Sequence, residues 1–552
     1  MKTKNILLLI LITMTVIFFG PFIERGLFFS LDNSFADKAT FVPLGNPNMI
    51  WGNCIWLLNQ VFPMDIVQKI IYIGIMSIIV FGSWIVAPTK NAYTKFVFTS
   101  LIAWNPFVIE RLVAGQYLVL FGYGMIVQIV ARLLASRNWK DDLYIAGLVV
   151  VTACFSVHFA AVGVGICLVR LIVRQMGKTK KLLSKENIPT TIGVFVILVM
   201  YVLFSFDNAS WQYFMDFSRN DLYAFKTGAD DTWGIILSVL GGYGFWFETY
   251  EQFISAKTIL PFWPVVAIAT YGLGIVGYVK KWKTASSDLK ESLMTLGIIW
   301  ISCLILVLGV AVPWLEQSSI WIYDHFRVLY ILREPQKVVG VMQVIIALGC
   351  VYALDDINIS KKWKYGIGIM ASIYFIAMLI IVYMGVRMSS YPKEWFSART
   401  YLQENLKKTE KIILFPWHRN MPMSFAYGKY IANPSGEFFG GSAIMANNYD
   451  LQTLYSHDKS LERLHIEGLI AMEWDRKNLQ GDDVEFTPDW GVAVQAINAK
   501  YIVVLKEYDW KRYNFLRSEQ SLKIVMENKK LIIYEVQPIN MAVNSQVDNP
   551  IE

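Results

Sequence analysis

The chain has 552 residues, is 55% hydrophobic and 15% aromatic, and carries only 17% charged residues, at a mean hydropathy of +0.43. A soluble protein would hold about 25% charged residues, so the composition excludes an ordinary soluble enzyme. The net charge of +7 is spread over short loops between apolar runs, which is the membrane-protein pattern and not a nucleic-acid footprint.

The chain opens with MKTKNILLLILITMTVIFFG, a basic start followed by an apolar core. No small-x-small cleavage site follows, so this stretch is expected to be an uncleaved first span with its N-terminus in the cytoplasm. Apolar windows place about eleven spans, near 5–21, 66–87, 94–109, 116–135, 142–157, 160–175, 189–206, 258–280, 291–312, 336–354 and 364–387. Basic residues cluster at Lys90 and Lys95, at Arg132, Arg137 and Lys140, and at Arg170, Arg174, Lys178, Lys180, Lys181 and Lys185. Further clusters are Lys280, Lys281 and Lys283, then Lys361, Lys362 and Lys364. With a cytoplasmic N-terminus all of them fall on the inner side, as the positive-inside rule requires. A multi-pass protein of the cell (plasma) membrane is therefore expected.

Four stretches then lie outside the cytoplasm. The first is the loop Pro21–Asp65, carrying Glu24, Arg25, Asp32 and Asp37. The second, WNPFVIERLVAGQY at Trp104–Tyr117, interrupts two apolar runs. Pro106 and Gly115 disfavour a continuous helix there, so it reads as the tip of a membrane hairpin. Ionisable groups at membrane depth are costly unless paired or facing water. Adjacent Glu110 and Arg111, with Gln116 beyond them, are thus either helix-end caps in the headgroup region or parts of a site. The third stretch, Asp207–Lys257, is rich in Trp, Tyr and Asp. Within it 235–253 is apolar, but Gly241, Gly242, Gly244, Glu248 and Glu251 argue for an interfacial or re-entrant helix. The fourth, Pro313–Lys337, ends in ILREPQK just before a span.

Arg327, Arg333 and Lys337 stand together at that span's start. Arg offers a planar fork suited to phosphate oxygens and Lys a compact cation. Pro335 in a first helical turn leaves nearby N–H groups free for an anion. A lipid phosphate or pyrophosphate is the natural anion at this depth, the alternative being ordinary headgroups or pairing with Glu334 and Asp324. A sugar transfer from such a phosphate needs a carboxylate to take the acceptor's proton; Asp32 and Glu24 in the first outer loop are the candidates.

Soluble-enzyme signatures are absent: no Walker loop, HExxH or GxSxG, and no disulfide or zinc spacing among the five cysteines. His158 lies alone in an apolar run and reads as a core histidine; His325, His418, His457 and His465 do not cluster in sequence. The tryptophans near the outer interface, among them Trp51, Trp104, Trp211, Trp233 and Trp314, suit an aromatic belt. After Arg387 the chain alternates short apolar strands, such as Lys411–Phe415, Tyr501–Leu505 and Leu531–Val536, with polar segments. The expected fold is a polytopic α-helical membrane domain over 1–388, with an extracytoplasmic α/β domain over 389–552.

Together the acidic first loop (Glu24 to Asp37), WNPFVIERLVAGQY, ILREPQK and the closing stretches VAVQAINAKYIVVLKEYD and LKIVMENKKLIIYEV resemble the GT-C superfamily of membrane glycosyltransferases, in particular its YfhO-like branch. The resemblance implies an enzyme taking a sugar from a polyprenyl-phosphate-linked donor and passing it, outside the cytoplasm, to a cell-envelope glycan or protein acceptor. It implies Asp32 and Glu24 as catalytic acids, with Arg333, Arg327, Lys337, Glu110, Arg111 and Gln116 toward the lipid phosphate. The partners expected are the lipid-linked sugar, membrane lipids and the acceptor. A divalent cation, Mg or Mn, is the cofactor such relatives use with paired acids. Here Asp32 is followed by Asn33 and Glu24 by Arg25, so no metal ligand is assigned and a metal-independent inverting transfer is favoured. A non-catalytic binder, transporter or assembly factor for lipid-linked glycans is the alternative.

Overall fold

The computed structural model describes residues 3–43, 46, 48–135, 139–176, 192–193, 196, 217–249, 253–356, 361–447, 460–478 and 489–538. Most of the span expected near 189–206, the basic residues Arg137, Lys178, Lys180, Lys181 and Lys185, and Trp211 and His457 lie outside these residues. The chain divides into two compact units: Met1–Phe28 with Ala39–Met388, and Phe29–Lys38 with Ser389–Glu552.

In the first unit, six described helices are long and apolar enough to cross a membrane. They are Met64–Val86, Tyr117–Ala135, Val157–Met176, Trp263–Thr284, Ser287–Ala311 and Pro335–Asp355. A bent pair, Ala92–Ala103 with Pro106–Val113, makes seven if counted as one span. Among the described residues these account for up to seven of the eleven spans read from hydropathy. Crossing about 30 Å of hydrocarbon takes about 20 helical residues. Thr3–Phe18 is apolar but shorter, Trp139–Ala153 has only 15 residues, and Met370–Gly385 is the apolar part of the 25-residue helix Lys361–Gly385. The 235–253 stretch is helical over Gly234–Leu240 and then breaks, with Gly242 and Gly244 at φ +87° and +106°.

The bend at Trp104–Tyr117 follows directly from its residues. Ala92–Ala103 stops at Trp104, and the Asn105 side chain caps a new helix by accepting from Val108 N at 3.1 Å. Pro106 occupies the first turn, where its missing N–H costs nothing. The Asn105 Nδ2 donates to the orphaned Leu101 and Ile102 carbonyls at 2.9 Å each, so one side chain closes both helix ends. The two helices meet at 40°. Gly115, at φ +80°, then turns the chain into Tyr117–Ala135.

The tightest crossing is between Trp263–Thr284 and Val339–Asp356. A Cβ on Gly277 would stand 1.8 Å from the Gly349 carbonyl oxygen, and one on Gly349 2.3 Å from that of Gly274. Backbones approach here because small residues face each other, the usual source of tight packing between membrane helices. Across the seam the Tyr278 hydroxyl donates to Ile345 O at 2.7 Å. Gly277→Val is expected to destabilise by at least about 1–3 kcal/mol, the usual cost of overpacking. Thermal unfolding in detergent would show this, whereas an unchanged Tm would mean the crossing yields freely.

At the other end of the Val157–Met176 helix, Arg170 and Arg174 are not loose loop charges. Both are buried, with Asp142 at 2.9 Å and 2.8 Å and Glu291 3.7 Å from Arg174. They pin three helices together, Asp142 serving both arginines and Glu291 joining the third helix.

The second unit holds a five-stranded sheet in the order Ala443–Ile444, Lys411–Phe415, Ala499–Leu505, Leu531–Val536, Leu522–Glu527. The first three strands are parallel and the last two antiparallel additions. Ile413, Phe415, Ile502, Val504, Ile532 and Tyr534 give the sheet its apolar face, covered in part by Ile466, Ile470 and Trp490. The segment Phe29–Lys38 belongs to this unit. Asp37 is clamped by Arg399 at 2.6 Å and 2.9 Å, and the Tyr391 hydroxyl donates to Phe35 O at 2.8 Å.

Candidate functional site

Within the membrane unit the structure gathers charges from four separate stretches of chain. ILREPQK forms two short 3-10 turns, Arg327–Leu332 and Pro335–Val338, leading into Val339–Asp356. This geometry turns the Lys337 side chain inward, where it is 6% exposed. Its Nζ lies 2.8 Å from Glu334 Oε1 and 3.1 Å from His158 Nε2. An ammonium can only donate, so the His158 Nε2 is the acceptor there. Arg333 and Arg111 are also close enough for their charges to act on His158.

Burial acts to raise the Glu334 carboxyl, but Lys337, Arg333 and His158 outweigh it and bring it down to about 2. The group therefore stays ionised. Arg333 is 9% exposed, its guanidinium 3.8 Å from the Phe217 ring centre and 5.6 Å from that of Phe225. Arg111, 1% exposed, donates to Gln116 Oε1 at 2.7 Å and lies 4.0 Å from the Phe245 ring centre. The rings connect the two arginines: Phe225 packs on Trp246 at 5.2 Å, and Trp246 on Phe245 at 5.7 Å. Buried cations stacked on aromatic faces in this way keep a fixed position and direction.

Glu110 follows the other face of the Pro106–Val113 helix. It is 4% exposed, and charges on Glu248, Lys257 and Arg111 act on it. Lys257 pairs with Glu248 at 3.2 Å and Asp230 at 3.6 Å, under the Tyr243 ring at 5.0 Å. One eight-residue helix thus carries an arginine into a cation-rich cluster and a glutamate into an acid-rich one.

Of the residues singled out in sequence, Arg111, Gln116, Arg333 and Lys337 come together, and Glu110 borders them. Arg327 does not join them: it is exposed and donates to Phe217 O at 3.1 Å. Glu24 is exposed, and its carbonyl accepts from Lys69 Nζ at 2.6 Å. Asp32 belongs to the second unit. It is exposed in a tight turn where Ser30 and Asn33 exchange backbone hydrogen bonds at 3.1 Å. That turn docks on the hairpin of Asn420–Met423 and Lys429–Ala432, through Ala432 N to Leu31 O at 2.9 Å.

Three contributors were not legible in sequence. His158 had no polar neighbour along its helix to mark it. Glu248 was read only as a mark of an interfacial or re-entrant helix, and Lys257 only as the end of the third outer stretch. Among the described residues no group of three or more His, Cys, Asp or Glu side chains could hold a metal ion.

No family model matches the chain, and no curated protein matches it. Among solved structures it is similar to the arabinofuranosyltransferase AftD from mycobacteria, with TM-score 0.59 and 11% identity, over 97% of this chain and 40% of that one. It is also similar to ArnT from Cupriavidus metallidurans, solved bound to undecaprenyl phosphate (TM-score 0.47, 10% identity, 96% and 98% covered). A third is the Archaeoglobus fulgidus oligosaccharyltransferase tethered to an acceptor peptide (TM-score 0.46, 12% identity, 91% and 69% covered). The chain spans well under half the length of AftD, and at these identities the likeness is one of fold. The chain is a multi-pass membrane protein that shares its fold, over nearly all its length, with a glycosyltransferase.

Proposed function

We propose that this protein is a membrane glycosyltransferase that takes a sugar from a polyprenyl-phosphate-linked donor and passes it to a cell-envelope acceptor outside the cytoplasm. One observation carries the reading: Arg111, Arg333 and Lys337 are all buried about His158, with Glu334 the carboxylate paired among them. Buried cations gathered in one place in a membrane protein are a natural seat for an anionic group. A lipid phosphate is an anion that reaches this depth. The fold shared with an arabinofuranosyltransferase supports the reaction class, and the residues resembling the GT-C superfamily support its YfhO-like branch.

In the proposed reaction an acceptor hydroxyl oxygen attacks the anomeric carbon of the donor sugar. The bond from that carbon to the phosphate oxygen breaks, and its electron pair leaves with polyprenyl phosphate. Arg111, Arg333 and Lys337 stabilise the charge gathering on the leaving phosphate. The acceptor's proton passes to a carboxylate; Glu24, in the same unit as the cations, is the candidate we assign. A single carboxylate and no covalent intermediate make the transfer inverting.

Membranes containing the protein, supplied with polyprenyl-phosphoryl arabinofuranose and polyprenyl-phosphoryl glucose, are expected to release free polyprenyl phosphate from at least one of them. Arg333→Ala is expected to lower that release about 100-fold, the usual cost of one transition-state donor. Binding of the donors without release from either would make the protein a binder of lipid-linked glycans.

A further inference from the structure

Among the described residues, Gln336 and Glu110 both bury polar atoms that no hydrogen bond matches. The Gln336 side chain is 1% exposed, and neither its Oε1 nor its Nε2 is hydrogen-bonded. Glu110 Oε1 is likewise buried and unmatched. Leaving such atoms unmatched is costly, and native chains contain few of them. Gln336 shares the Pro335–Val338 turn with Lys337, and Glu110 precedes Arg111 in the sequence. Their two segments also pack together, since a Cβ on Gly340 would stand 2.6 Å from the Phe107 ring.

Hydrogen-bond chemistry separates these atoms from the cations. The phosphate of a sugar-bearing lipid is a diester whose oxygens only accept, which suits Arg and Lys. An amide oxygen also only accepts, so a phosphate cannot satisfy Gln336 Oε1. A sugar hydroxyl both donates and accepts. The Gln336 amide, with one accepting and one donating end, matches a pair of adjacent hydroxyls on a sugar ring.

We infer that Gln336 forms the sugar subsite next to the phosphate clamp and reads ring hydroxyls of the lipid-linked donor. The inference rests on the clamp reading above and adds which side chains recognise the sugar. The amide has no partner within the protein because its partner is the substrate. Replacing it with an apolar side chain of similar size therefore removes a buried unmatched group, and should cost recognition without costing stability.

The test uses the full chain in lipid nanodiscs, with Gln336→Leu and the near-isosteric Gln336→Met. The probes are undecaprenyl phosphate, polyprenyl-phosphoryl arabinofuranose and polyprenyl-phosphoryl glucose. Wild type is expected to hold at least one sugar-bearing lipid about tenfold more tightly than the bare lipid phosphate. Both variants should lose that preference, keep bare-lipid affinity within about twofold, and unfold at the same or a higher temperature. A preference surviving in both variants would overturn the inference, as would a lower Tm in both, which would reveal a protein partner for the amide. No preference in wild type would overturn the sugar subsite while leaving the clamp standing. Failure of wild type to hold even the bare lipid would overturn the clamp itself.

Discussion

Lys337→Met is expected to reduce sugar transfer by at least about 100-fold and to destabilise the protein by about 3–5 kcal/mol. Both effects come from one ammonium that meets Glu334 at 2.8 Å and His158 at 3.1 Å. Removing it takes a cation from the leaving phosphate and leaves Glu334 buried beside a histidine that can no longer be bridged to it. The pair Lys337→Met with Glu334→Gln removes both charges, so it should restore most of the stability and none of the activity. Recovery of activity in the double variant would mean that Lys337 serves only to neutralise Glu334.

The pH dependence separates these forms further. In wild type the Glu334 carboxyl is held at about 2, below its ordinary 4.5. Its contribution to stability is thus fully present above about 4.5 and lost as pH falls toward 2. Without Lys337 the main depressing charge is gone, and burial favours the protonated form. Lys337→Met should then lose stability as pH rises from about 4.5, opposite to wild type. Thermal unfolding at pH 5 and pH 8 gives the sign.

Arg111→Lys is expected to cost about 10²–10³-fold in transfer, although it keeps the charge. The guanidinium uses its plane on the Phe245 face and its fork toward Gln116, and a lysine ammonium can do only one of these at a time. The loss should appear mainly in kcat if the group acts on the leaving phosphate, since ground-state binding can persist through Arg333 and Lys337. Activity within about threefold of wild type would place Arg111 outside the reaction as a packing residue.

The sequence made the central bend readable because Asn105, Pro106 and Gly115 each impose a local geometry that needs no tertiary partner. ILREPQK was readable for the same reason, as a proline-started helix end carrying cations. The joining of these two stretches with His158 was not readable, since 179 residues separate Lys337 from that histidine and nothing near it on its helix is polar enough to flag it. Hydropathy alone does not give helix length, and Trp139–Ala153, read as a span, has only 15 residues among those described. It also treated Arg170 and Arg174 as loop charges, whereas Asp142, far away in sequence, buries them in ion pairs. The acids of the first loop were read as one group. The fold instead assigns Glu24 to one unit and Asp32 and Asp37 to the other, a division set by contacts with residues about 360 positions downstream, such as Arg399 on Asp37.

The most direct measurement of the central claim is a cryo-EM reconstruction of the full chain in nanodiscs with undecaprenyl phosphate. The account expects the phosphate within hydrogen-bond distance of Lys337 and at least one of Arg111 and Arg333, and lost from that position in Lys337→Met. A phosphate seated elsewhere, with Lys337 bound only to Glu334 and His158, would contradict it.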